Sequence, residues 1–330
     1  MTFAEGPPLR LRPTPRTDVE PRQERGPSGL PGPVVLGVVD ADLAILRPAM
    51  VFAVREAQER RVPLVVLHAY GEPHEQTAPG DERARARRTK AVVGRATQEV
   101  RRLAHDTTVV LGLRSCRTAT AALVAGSCLS SLVVLQVRPG RHPHQVGTTV
   151  AEVVRHAACP VAVLHEADVF PRGGGIVVGI RTAGRMQTCL RVAVGEALRS
   201  FVRLTVVHAW QVPASPSTAS EWRLAQEAAE QLLDQALGGV LEQFPMLELS
   251  RRAVRGPAAD VLRACAEDAD LLVVARPGGV PLESHRLGAI VPPLLERAPC
   301  PVVVTPPYGS PYRDADPRLL DLIDALGPER

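Results

Sequence analysis

An internal repeat constrains this chain more than any other feature. Residues 132–165 read LVVLQVRPGRHPHQVGTTVAEVVRHAACPVAVLH, and residues 271–306 read LLVVARPGGVPLESHRLGAIVPPLLERAPCPVVVTP. Each runs apolar strand, glycine-bearing loop, helix, apolar strand. Upstream, VVLGVV at 34–39 returns as IVVGI at 176–180, and LVVLHAY at 64–70 returns as LTVVHAW at 204–210. His68 recurs as His208 and Cys159 as Cys300, a period of about 140 residues. Solenoid repeats have periods of roughly 20–50 residues, so a unit this long is a duplicated domain.

Within each copy, apolar strands alternate with helical segments five times. The first copy predicts strands over 34–39, 64–67, 107–113, 132–135 and 161–164. Helices are expected to about Gln58, over 81–103, 118–125 and 148–156, with Pro48 in the first turn of the first, where its missing N–H costs little. The second copy predicts strands over 176–180, 204–210, 248–254, 271–275 and 302–304, with helices over 221–243 and 258–266. Short apolar strands without polar alternation argue a parallel sheet covered on both faces. The fold class is α/β, with one five-stranded parallel sheet per copy.

Domain limits follow from composition. Residues 1–32 are rich in Pro, Arg, Gly and Glu without periodicity and read as a disordered arm. The first domain is 33–167. Residues 168–174, with Pro171, Gly173 and Gly174, are a linker. The second domain is 175–306. The tail, 307–330, holds a short amphipathic pattern at 316–326.

Bulk chemistry removes several function classes. The net charge is +4, and no basic stripe is interleaved with aromatics, so nucleic-acid binding has no support. RARARR in the second helix reads as a solvated face. Six cysteines include no CxxC pair and no zinc spacing, which suits small buried hydrophobes in a reducing compartment. No apolar run reaches the roughly 20 residues of a membrane span, and no secretory signal is visible. A cytoplasmic protein without membrane contact is expected.

In a doubly wound sheet, ligands bind at the carboxyl ends of the strands, where the strand order switches. A helix start there offers free N–H groups and a positive dipole end, and glycine lets phosphate oxygens approach. The paired copies, the LHAY and VHAW strand ends, GPAADVLRACAEDADLLVVARPG and the CPV strands together resemble a tandem universal stress protein. The resemblance runs over about 33–306. It implies two flavodoxin-like, adenine-nucleotide-hydrolase-like domains with strand order 3-2-1-4-5. Many members bind ATP through G-x2-G-x9-G-[S/T] and an Asp at the end of strand one; others lack the motif.

Carried onto this sequence, the motif is incomplete in both copies. In the second, Ala275 stands for the first Gly, Gly278 and Gly288 keep the spacing, Ala289 replaces the hydroxyl, and Arg181 replaces the Asp. Alanine is tolerable in the first place only if its φ is negative. Losing the hydroxyl removes a hydrogen bond of about 0.5–1.5 kcal/mol. Arg181 reverses the charge and can meet an anion instead. In the first copy, Asp40, Gly147 and Thr148 are present, but Gln136 and Pro139 take the front glycines' places and the loop is about two residues short. Pro139 has no N–H to donate, and Gly140 can substitute after a shift. ATP binding is therefore expected to be weak or lost, and the first copy is favoured if only one binds.

Other candidates are weaker. His142 and His144 have no neighbouring acid or cysteine and read as a solvated loop, so no metal site is expected. Glu283, Ser284 and His285 are consecutive on one loop and do not form a triad. His68 and His208, recurring at the end of strand two, read as polar caps on buried strands. No P-loop and no spaced GxGxxG is present, and no catalytic residue is assigned. The expected function is a non-enzymatic stress-response regulator with an unidentified protein partner. The alternatives are an ATP-binding stress protein using the first domain, or a nucleotide-independent interaction module. The resemblance also implies that the fifth strands pair within the chain as an internal pseudo-dimer, which leaves room for a further homodimer.

Overall fold

The computed structural model describes residues 32–38, 42–71, 79–116, 118–137, 146–168, 171–181, 187–211, 218–277 and 287–307. They form two compact units that divide between Phe170 and Pro171. The arm and the amphipathic tail segment lie outside the described residues.

The first unit runs β1 (Val34–Gly37), α1 (Leu43–Arg60), β2 (Leu64–Gly71), α2 (Pro79–Leu103), β3 (Val109–Cys116), α3 (Ala119–Ser127), β4 (Leu132–Gln136), α4 (Thr148–His156) and β5 (Val161–Leu164). The second runs β6 (Ile176–Ile180), α5 (Gln187–Ser200), β7 (Leu204–Trp210), α6 (Ala219–Gln243), β8 (Leu249–Arg255), α7 (Ala258–Cys265), β9 (Leu271–Ala275), α8 (Val291–Arg297) and β10 (Val302–Thr305).

Both sheets are parallel. In the first unit the order is β3-β2-β1-β4-β5, and in the second β8-β7-β6-β9-β10. Helices α1 and α2 pack on one face of the first sheet, and α3 and α4 on the other. Helices α5 and α6, then α7 and α8, repeat that arrangement. The order reverses between β1 and β4, and between β6 and β9. The connections leaving those strands therefore go to opposite faces, and a crevice opens at their carboxyl ends.

The core is aliphatic. Leu36, Leu64, Leu132, Leu135, Leu164, Leu204, Leu233 and Leu272 are fully buried. Burial on both faces explains why β1, β4, β5, β6 and β10 read as unbroken apolar runs. Gly37 and Gly179, with the buried Gln136 and Thr305 that close β4 and β10, are the exceptions, and packing demands both glycines. A Cβ on Gly37 would lie 2.5 Å from Leu135 and 2.9 Å from Leu123. One on Gly179 would lie 2.7 Å from Leu262. Leu123 on α3 and Leu262 on α7 are counterparts, so each copy seats one helix leucine over its first strand.

Local signals set the helix ends. Asp42 caps α1, its Oδ1 accepting from Ala44 N at 2.9 Å. Thr118 caps α3 through Ala121 N, and Thr218 with Glu221 forms a capping box on α6. With Asp42 as the cap, Pro48 falls in the second turn of α1, not the first. There its ring withholds an N–H from the Ala44 carbonyl. Helices α1 and α5 end on left-handed residues, Arg61 at φ 55° and Phe201 at φ 53°. In each the next N–H closes back on the helix, Val62 to Ala57 and Val202 to Ala197.

The glycine linker is tied down by one carboxylate. Asp270, buried just before β9, accepts backbone N–H bonds from Arg172, from Gly173 at 2.8 Å and from Gly175 at 2.9 Å. Gly173 and Gly175 have φ near +80°, and a Cβ on Gly174 would overlap the Asp268 carbonyl oxygen at 1.6 Å. Three consecutive glycines are thus a steric requirement at this entry to β6.

Candidate functional site

The end of strand one is held alike in both units. The Val38 carbonyl oxygen lies 2.5 Å from His68 Nδ1, and the Ile180 carbonyl oxygen lies 3.0 Å from His208 Nδ1. A carbonyl only accepts, so in each case Nδ1 carries the proton. These histidines fix the strand end from the neighbouring strand, as the recurrence predicts. Asp40 itself lies outside the described residues.

In the first unit, β4 ends at Gln136, the position aligned with the first motif glycine. Its side chain is fully buried. Oε1 accepts from Ala49 N at 3.2 Å, just past Pro48, and Nε2 donates to the Leu164 carbonyl at 3.1 Å. The amide therefore stitches β4 to α1 and β5 where glycine would leave room. Gly140, Pro139, His142 and His144 lie outside the described residues. Beyond them Gly147 precedes α4 with φ −59°, is exposed, and has open space where a Cβ would go. Neither conformation nor packing requires glycine there. Thr148 is exposed as the first residue of a nine-residue helix.

The second unit differs at each step. Ala275 is a strand residue; among the described non-glycine residues only Arg61 and Phe201 have positive φ, so alanine is unstrained. Thr305 Oγ1 reaches the Val274 carbonyl at 3.5 Å, and Arg276 N donates to the Thr305 carbonyl at 2.9 Å. Gly278, and Glu283 to His285, lie outside the described residues. Gly288 has φ +74°, and a Cβ there would meet Pro277 at 2.7 Å, so this motif glycine is required. Ala289 is exposed. Helix α8 then has only seven residues and carries Pro292 and Pro293 in its first turn. Proline has no N–H, so two of the amides that would face a phosphate are missing. The sequence signal for this defect is VPP at 291–293, outside the glycine motif.

The sheet register corrects the placing of Arg181. Gly37 sits opposite Leu135 and Val178 opposite Val273, which makes Gly37 and Gly179 counterparts. Arg181, two residues past Gly179, therefore corresponds to Val39 and not to Asp40. Matching by charge at a strand end had shifted the pairing by one residue, and in a strand one residue changes the face.

Sequence reasoning also missed an aromatic group at the outer strands of the second unit. Trp210 at the end of β7 meets Trp222 of α6 edge-on, centroids 6.3 Å apart at 64°. The Arg255 guanidinium from the end of β8 lies 3.3 Å over the Trp222 ring. The chain's two tryptophans both fall in this unit, and their strand-end position was the available signal. Beside strand one, Cys189 on α5 places Sγ 3.9 Å from the Gly179 carbonyl oxygen, and burial pushes its thiol up to about 12. Such a thiol is a packing group, not a nucleophile.

A sequence profile of the universal stress protein family matches residues 175–306, the second unit. Universal stress protein Rv2623 of Mycobacterium tuberculosis is 28% identical over 296 residues, covering 82% of this chain and 95% of the relative. The second unit is thus a universal stress protein domain, and a universal stress protein is similar over most of the chain. Universal stress protein Rv2005c of the same organism is 32% identical over 163 residues, 48% of this chain and 55% of that protein. A universal stress protein from Archaeoglobus fulgidus shares the fold at TM-score 0.61 and 13% identity, covering 83% of this chain and 96% of its own. The Pseudomonas aeruginosa protein PA1789 does so at TM-score 0.58 and 17% identity. Among the described residues, no helix is long and apolar enough to cross a membrane.

Proposed function

We propose that this chain is a universal stress protein, a non-enzymatic regulator whose nucleotide loops have degenerated, so that ATP binding is weak in the first unit and lost in the second. The observation that carries the reading is the proline pair in the first turn of α8. An anion at a helix start is held by free N–H groups and the dipole they express. Pro292 and Pro293 remove two donors, and Ala289 supplies no hydroxyl.

The first unit keeps a better helix start. Thr148, Thr149 and Val150 all carry N–H groups, and Thr148 brings an exposed hydroxyl. Its front is closed by the buried Gln136 side chain. Binding there depends on what Asp40 and Gly140 contribute. The role proposed is one of binding and signalling rather than turnover. A cytoplasmic location and an unidentified protein partner accompany this reading.

The test is to denature the purified protein, identify any released nucleotide by mass, and assay ATP turnover. Substoichiometric or absent nucleotide with background turnover supports the proposal. Two equivalents of ATP per chain, or hydrolysis that dies with Asp40→Ala, overturns it.

A further inference from the structure

The long helix of each unit carries opposite charge at the same place in the scaffold. Helices α2 and α6 both have 25 residues and start 140 residues apart, at Pro79 and Ala219. The strands on either side keep that offset, β2 and β7 from Leu64 and Leu204, β3 and β8 from Val109 and Leu249. The two helices therefore correspond residue by residue. Along α2, eight Arg and Lys stand against three acids, a net charge of +5. Along α6, five acids stand against one Arg, a net charge of −4. Three matched positions reverse sign outright, Arg87 to Glu227, Lys90 to Glu230 and Arg102 to Glu242, and all six side chains are exposed. Helical spacing puts them on one face of each helix, away from the buried Val93, Ala96 and Val100 of α2 and the buried Ala229, Leu233 and Leu237 of α6. From Arg87 to Arg102 that face runs about 22 Å.

We infer that α2 of one molecule docks on α6 of a second copy of this chain, cationic face to acidic face. Charge complementarity selects this occupant, because the acidic helix that α2 needs is displayed by the same protein. Like pairs, α2 on α2 or α6 on α6, repel, so the reversal directs a first unit to a second unit. Partners within each unit leave the excess standing. Glu99 accepts from Arg102 at 3.3 Å and lies 3.6 Å from Arg47, so two cations share one carboxylate. Asp234 pairs with Arg251, and Glu230 accepts from Gln226. A second observation points the same way. Gly94 and Gly238 lie on these outward faces, with nothing within 4 Å of where a Cβ would go. Glycine inside a helix costs stability relative to alanine, and no packing within either unit requires it here. A bare point on each face lets another helix approach closely. Charges stand on both sides of each glycine, so the signs match whichever way the two helices run. A solvated face explains charge on either helix alone, and gives no reason for reversal at matched positions. The nucleotide loops take no part in this docking, so its failure leaves the proposed function as it stands.

The experiment is sedimentation velocity on the full chain over a concentration series, at low salt and at about 1 M salt, where the Debye length is about 3 Å. Association that grows with concentration at low salt and is lost at high salt is expected. Arg87→Glu with Lys90→Glu is expected to weaken it about tenfold or more, and Glu227→Lys with Glu230→Lys to do the same. Circular dichroism checks that each variant keeps its fold. An equimolar mixture of the two variants presents an unaltered α2 to an unaltered α6, and is expected to associate where each variant alone does not. A chain that stays monomeric at every concentration overturns the inference, whether or not α2 captures RNA or anionic vesicles. So does a dimer indifferent to salt and to both reversals, and so do variants that fail to associate when mixed.

Discussion

His208 Nδ1 lies 3.0 Å from the Ile180 carbonyl oxygen, closing the end of the second unit's first strand. His68 holds Val38 in the same way in the first unit. His208 is buried, so its removal leaves the carbonyl without its side-chain donor and opens a space. His208→Ala is expected to cost about 1–3 kcal/mol of unfolding free energy. Urea titration followed by circular dichroism measures this, and an unchanged midpoint would assign the histidine no structural role.

Gly179 and Leu262 make a second pair that depends on one missing carbon. A Cβ on Gly179 lands 2.7 Å from the leucine. Gly179→Ala is expected to destabilise by about 1–3 kcal/mol through overpacking. Adding Leu262→Ala makes room, so the double variant is expected to lose less than the sum of the singles. Strict additivity in the double-mutant cycle would contradict the contact.

Buried thiols predict an alkaline limit to stability. Burial pushes Cys189 up to about 12 and Cys128 up to about 11, from an ordinary value of 9.0. Below pH 9 the thiol is neutral in both folded and unfolded chains, and its contribution is fully present. As the pH rises from 9 towards 12 the unfolded chain ionises first, and stability is lost. The melting temperature is expected to fall over that window and to fall less in Cys189→Ser. At pH 7.5 the native protein is expected to leave Cys189 unlabelled by a thiol reagent that reaches it after denaturation. Rapid native labelling would show the site to be open.

Asp270 gathers linker N–H groups from Arg172, Gly173 and Gly175. Asp270→Asn halves the acceptor oxygens and removes their charge, weakening bonds that charge makes strong. Limited proteolysis is expected to cut near Gly173 faster in the variant than in the parent. Equal cutting rates would mean that glycine geometry alone orders the linker.

Much of the fold was legible because it rests on patterns that leave residue-level traces. The strands over 176–180, 204–210 and 271–275 and the helix over 148–156 follow from apolar runs and loop chemistry. Pro48 was misplaced because the cap, Asp42, sits nearer β1 than the apolar pattern suggests. The site was legible only as a motif. Gln136 looked like a missing glycine, whereas its two side-chain bonds to α1 and β5 are contacts across 87 and 28 residues that no local pattern reveals. The level of Arg181 is likewise a property of sheet register, and periodicity within one strand does not carry it.

The central claim concerns the phosphate loops, and isothermal calorimetry with ATP reaches it most directly. The account predicts at most one weak site per chain, near millimolar or about −4 kcal/mol, abolished by Asp40→Ala or Thr148→Ala and untouched by Ala289→Ser. Two micromolar sites, or one micromolar site that persists in both first-unit variants, would contradict it.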